Sequence, residues 1–108
     1  MRILVSDDLA HEGIDILKQE FDVDVKTNLS EEQLMEIIQD YDALVVRSAT
    51  KVTKNIIDKS NLKVIGRAGV GVDNIDVDSA TRKGILVVNA PEGNTIAASE
   101  HTVALLMA

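Results

Sequence analysis

Short apolar runs alternate with amphipathic segments along the whole chain, the pattern of an α/β domain. Ile3-Leu4-Val5 reads as a first strand, and a helix from about Leu9 to Glu20 carries Ile14 and Leu17 on its inner face. Phe21 to Val25 alternates apolar and acidic residues, as a half-exposed edge strand does. Ser30-Glu31-Glu32-Gln33 spells a capping box that opens a second helix bearing Leu34, Ile37 and Ile38. Ala43 to Val46 is apolar without interruption and predicts a central strand. Thr53 is placed to cap a short helix holding Ile56 and Ile57, Val64-Ile65 forms a fourth strand, and Asp76 is placed to cap a fourth helix. Ile85 to Val88 is the fifth strand, and a last helix starts at about Thr95.

Five successive βα units predict an open, doubly wound parallel sheet between two helical layers, flavodoxin-like, with strand order 2-1-3-4-5. The edge-like second strand then lies outermost. The last segment, Val103 to Ala108, is apolar and stops without Gly, a basic turn or any cap. A helix apolar nearly all round expects cover on several sides. The expectation is a fragment: residues 1–94 form a domain, and residues 95–108 begin a helix leading out of it. That helix hides its apolar face on its own sheet or by exchange with a second copy, which would give a homodimer.

Composition narrows the class. With one Phe, one Tyr and no Trp, the core must be built from aliphatic residues, which suits strands buried on both faces. Eighteen acidic against eleven basic residues leave a formal charge of -7, which repels nucleic acid and offers no polybasic stripe to a membrane. There are no cysteines for a disulfide or a thiolate metal site. The start, MRILVSDD, is no secretory signal, so a cytoplasmic location is expected and Asn28-Leu29-Ser30 reads as a loop, not a glycosylation site.

In such sheets ligands gather at the carboxyl ends of the strands. The loops there hold Ser6-Asp7-Asp8, Arg47-Ser48-Ala49-Thr50, Gly66 to Asn74 and Asn89 to Asn94. Together they offer a guanidinium, hydroxyls, glycine backbone and amides, a set suited to a small anion. Arg47, directly after a buried strand, either grips a carboxylate or phosphate with its fork or pairs with a loop carboxylate. Of Asp7 and Asp8, one is expected to cap the first helix and the other to be solvated, although a metal or acid–base pair is the alternative. His11 and His101 stand alone in sequence and read as surface or packing residues. Gly69-Val70-Gly71-Val72-Asp73-Asn74 resembles the start of a dinucleotide fingerprint, but Asn74 replaces its third glycine and the next strand ends in Val88-Asn89, not an acidic residue. It reads as a sharp loop that lets another body approach.

Three segments, VRSATKVT at 46–53, KVIGRAGVGVDNIDVDSATRKGI at 63–85 and VVNAPEGNTIAASEHT at 87–102, resemble the D-isomer-specific 2-hydroxyacid dehydrogenase family in order and spacing, most closely its phosphoglycerate branch. The resemblance runs the length of the chain. It implies a two-domain enzyme that oxidises 3-phosphoglycerate to 3-phosphohydroxypyruvate with NAD, the entry to serine synthesis. This chain would be the substrate-binding part, facing a Rossmann domain that lies beyond residue 108. By that resemblance Arg47, Ser48, Ala68, Gly69 and Asn94 contact the anionic hydroxyacid, Val70 lies against the cofactor, and Arg67 assists with charge. The glycine fingerprint and the catalytic Arg, Glu and His would lie downstream, so the chain alone is expected to be inactive and to bind no NAD. Two rivals carry other functions. A dehydrogenase-like binding protein would lack the downstream catalytic residues. A receiver-like signalling module would need an acceptor Asp ending the third strand and a Lys before Pro after the fifth, where this chain has Arg47-Ser48 and Ala90-Pro91.

Overall fold

The computed structural model describes residues 1–69, 71, 73–90 and 95–107. Among them, five strands form one parallel sheet: β1 (Arg2–Val5), β2 (Asp22–Val25), β3 (Ala43–Val46), β4 (Val64–Ala68) and β5 (Leu86–Ala90). Their order is β2-β1-β3-β4-β5, as the alternation predicts. The helices are α1 (His11–Lys18), α2 (Glu31–Ile37), extended by a 3-10 turn over Ile38–Asp40, α3 (Lys54–Lys59), α4 (Val77–Arg82) and α5 (Thr95–Met107).

Strand periodicity sorts the core onto two faces. Ile3, Val5, Ala43, Val45 and Val64 pack with Leu17 of α1 and Leu106 of α5. Leu4, Leu44, Val46 and Ile65 face the other way, against Leu34, Ile38, Ile56 and Ile57. All four residues of β3 are buried, which is why its sequence is apolar without a break. β2, at the edge, is half exposed. From β1 the chain winds outward to β2, and from β3 it winds the opposite way to β4 and β5. The loops after β1 and β3 therefore lead to helices on opposite faces, which makes the carboxyl ends of these two adjacent strands the switch point of the sheet.

Several boundaries differ from the sequence reading. α1 is shorter than 9–20, and Gly13 and Leu17, rather than Ile14 and Leu17, are its buried residues. Its N-cap, Ala10, makes no side-chain bond, so neither Asp7 nor Asp8 caps it. β4 runs on through Gly66, Arg67 and Ala68 because these residues continue to pair with Val88, Asn89 and Ala90 of β5. Ile85 is core, but the strand starts one residue later. The predicted caps of Ser30, with its reciprocal Gln33 bond, of Thr53 and of Asp76 are all formed.

α5 folds back on its own sheet. Ala98, Ser99, Thr102 and Leu106 are buried, at the three- and four-residue spacing of one helical face. It crosses β4 at Gly66, where a Cβ would stand 2.7 Å from the Thr102 hydroxyl. Only glycine admits so close a helix. On the outer side Ile96 and Met107 stay exposed.

Candidate functional site

At the switch point the Ser6–Asp8 segment after β1 and the Arg47–Thr50 loop after β3 are bonded to each other. Asp7 is buried, and its carboxylate accepts three bonds: from the Arg47 amide at 2.7 Å, the Thr50 amide at 3.0 Å and the Thr50 hydroxyl at 2.6 Å. Burying a carboxylate is costly unless donors surround it, and this one gathers three. The Ser6 and Thr50 hydroxyls lie 3.0 Å apart, joining the two segments again. From the other side, the Asn74 amide donates to the carbonyls of Arg47 and Thr50, each at 2.7 Å.

On this scaffold the side chains of Arg47 and Ser48 are exposed. The Arg47 guanidinium makes one weak contact, 3.4 Å to the Asp8 carbonyl, and no ion pair with a carboxylate is formed among the described residues. The alternative of a loop ion pair is thus not what the structure shows. The fork is left available to an anion.

β4 runs beside this loop. Val46 pairs with Arg67, so the chain leaves β3 at Arg47 beside the point where β4 ends at Ala68. Ala68 is buried and packs with Ala90 and Ala98. The Gly69 amide donates to the Ala90 carbonyl at 3.0 Å, prolonging the ladder by one rung. A Cβ on Gly69 would stand 3.0 Å from the Arg67 guanidinium, so the glycine makes room for that side chain. Arg67 is buried and donates to the Gly71 carbonyl at 2.8 Å, and the Asn89 amide donates to the same oxygen at 2.7 Å. Gly71 has φ +81°, a conformation that explains its glycine.

On the β4 side of this loop a cavity of about 620 Å³ is lined by Ser48, Lys51, Lys54, Arg67, Asp73 and Asn74, among others. Of the sequence-predicted site residues, Ser48 and Arg67 reach it, whereas Arg47, Ala68 and Gly69 do not. Lys54 is paired with Asp58 at 2.6 Å. Val70 and Asn94 lie outside the described residues. His11 is exposed in the first turn of α1 and His101 is exposed on α5, both as expected of surface residues. Among the described residues no cluster of His, Asp or Glu could hold a metal ion, and no helix is long and apolar enough to cross a membrane.

The sequence reading missed Asp7 and Asn74 as architects of this loop. Asp7 was weighed as a helix cap because an acid after a strand usually meets a helix start, and Asn74 was weighed only as a lost glycine. The available signal was their position: each follows a strand adjoining β3, where a polar side chain can reach sideways to loop backbone.

The model of the D-isomer specific 2-hydroxyacid dehydrogenase catalytic domain matches residues 3–104. A D-3-phosphoglycerate dehydrogenase of Synechocystis is 64% identical over 108 residues, covering 99% of this chain and 20% of that protein. One of Methanocaldococcus jannaschii is 55% identical, covering 100% of this chain and 21% of that protein. This chain thus spans about a fifth of the length of these curated relatives. Among solved structures, an NAD+-bound 3-phosphoglycerate dehydrogenase of Entamoeba histolytica superposes with a TM-score of 0.73 at 30% identity, over 82% of this chain and 32% of that one.

Proposed function

The chain belongs to the D-isomer specific 2-hydroxyacid dehydrogenase family, and on that premise we propose that it is the substrate-recognition part of an NAD-dependent D-3-phosphoglycerate dehydrogenase. The observation that carries the reading is the exposed Arg47–Ser48 pair on a loop held from both sides at the switch point of the sheet. In this reading the Arg47 fork and the Ser48 hydroxyl take an anionic group of 3-phosphoglycerate, and the main chain at Ala68 and Gly69 supports the hydroxyacid end. Asn94 joins them. The high identity to proteins named for this reaction supports the choice of substrate.

NAD supplies the hydride acceptor, and the residues present do not fit it as a complete site. Where a fingerprint would need its third glycine, the Asn74 side chain is committed to the Arg47 and Thr50 carbonyls. Cofactor binding therefore belongs to a Rossmann domain outside these residues, with Val70 at its border. The chain alone is inactive. The exposed Ile96 and Met107 on α5 are where the domain, or a second copy of the chain, would pack. We place the protein in the cytoplasm, a reading that rests on the absence of a secretory pattern in MRILVSDD.

The test is Arg47→Ala in the full-length protein. The KM for 3-phosphoglycerate should rise by about tenfold to a hundredfold, the loss of a charge-assisted contact, while the KM for NAD stays within about twofold. An unchanged 3-phosphoglycerate KM would remove Arg47 from the site.

A further inference from the structure

The loop that carries Arg47 and Ser48 takes its shape from side chains elsewhere. Asp7 accepts from the amides of Arg47 and Thr50, and Asn74 donates to the carbonyls of the same two residues. Both main-chain groups at each end of the four-residue loop are thus satisfied by side chains instead of by a strand ladder. The jaws of this clamp are themselves fixed. Next to Asp7, the Ser6 amide donates to the Val45 carbonyl at 3.2 Å. Around Asn74, Val52 and Ile75 form a parallel bridge, in which the Val52 amide donates to the Asn74 carbonyl at 2.8 Å and the Asp76 amide to the Val52 carbonyl at 2.9 Å. The loop is gripped from both sides of β3.

We infer that Asp7 and Asn74 are positioning residues for the substrate anion: they hold the 47–50 loop so that the Arg47 guanidinium and Ser48 hydroxyl are set before ligand arrives. This rests on the reading of Arg47 and Ser48 as substrate contacts. Neither clamp residue touches the substrate. The residue types are specific to the task. An amide at position 7 would lose the charge that strengthens the two backbone bonds and the 2.6 Å bond accepted from the Thr50 hydroxyl, and a carboxylate at position 74 would set oxygen against two carbonyls. A loop released by either change loses the pre-set geometry that makes a polar site effective.

The experiment compares D7N, N74D and R47A in the full-length protein, with 3-phosphoglycerate and NAD varied separately and the thermal midpoint of each variant recorded. D7N and N74D should raise the 3-phosphoglycerate KM by about tenfold or more, with the NAD KM within about twofold. A merely structural role would lower the midpoint without singling out one substrate. If R47A raises that KM and folded D7N and N74D do not, the inference is overturned while the site stands. If R47A itself is silent, the site reading falls and the inference with it. Should D7N and N74D fail to fold, N74A decides, since it removes both donors to the loop carbonyls without setting a charge against them. A raised 3-phosphoglycerate KM in N74A, with the NAD KM unmoved, supports the clamp, and an unchanged one overturns it.

Discussion

Tyr41, the single tyrosine, shows how a residue with no part in the site still leaves a measurable mark. Its hydroxyl donates to Asp24 at 2.6 Å, Arg2 bonds the same carboxylate oxygen at 2.7 Å, and the guanidinium lies 4.8 Å from the Tyr41 ring centre. Burial first, and then the bond to Asp24, push the Tyr41 hydroxyl up to about 12 from 10.0. The Tyr41 bond, followed by the Arg2 bond, holds the Asp24 carboxyl below its ordinary value of 3.8. The signs differ. The Tyr41 contribution is complete below about pH 10 and is lost as pH rises through about 12. The Asp24 contribution is present above its ordinary value and is lost as pH falls through the depressed one. Tyr41→Phe should therefore lower the urea midpoint near neutrality and flatten its fall at both extremes. The neutral effect stays at about 1 kcal/mol or below, since the Arg2 and Asp24 side chains are 47% and 39% exposed. A pH profile identical to wild type would contradict it. At this scale the sequence was read well where a residue acts on its near neighbours in the chain, as with the Ser30 cap. It was read poorly where a side chain serves distant backbone, as with Asp7, because the partner is 40 positions away.

Elements were legible in proportion to how local their cause is. The capping box of α2 and the buried run of β3 are written in adjacent residues, and both appear as predicted. The start of α1 and the full length of β4 depend on neighbours in space, and both were misplaced. α3 illustrates the same divide. Its Thr53 cap was foreseen, but its carboxyl end is closed from afar by Lys83, whose ammonium donates to the carbonyls of Ile57, Asp58 and Ser60 at 2.8, 2.9 and 2.6 Å. A cation is favoured there by the helix dipole and the unpaired carbonyls alike. Lys83→Met should cost about 1 kcal/mol in chemical denaturation, a modest value for a side chain that remains partly in water. Amide exchange should quicken at Ser60, whose amide bonds the Ile57 carbonyl at the frayed end. No change in either would show that the three bonds add nothing to the fold.

At the scale of the molecule, the strand order follows from five βα units, and the switch point follows from that order. The chain reverses its winding between β1 and β3, and the loop that carries Arg47 and Ser48 leaves the sheet there. GRAGVGVDNID at 66–76 imitates a cofactor loop, and the sequence argues against that reading through Asn74 in place of the third glycine and the lack of an acidic residue ending the next strand. In the folded chain that segment ends the fourth strand, turns at Gly71, and sends Asn74 to steady Arg47. The proposed role of this chain is therefore to recognise the hydroxyacid and not the nucleotide. The direct measurement is an amide NMR titration of residues 1–108 with 3-phosphoglycerate and with NAD in turn. Millimolar 3-phosphoglycerate should move the resonances of Ser48, Ala49, Thr50 and Gly69, while NAD moves none of them. Tight NAD binding at micromolar concentration, with no response to 3-phosphoglycerate in that loop, would contradict it.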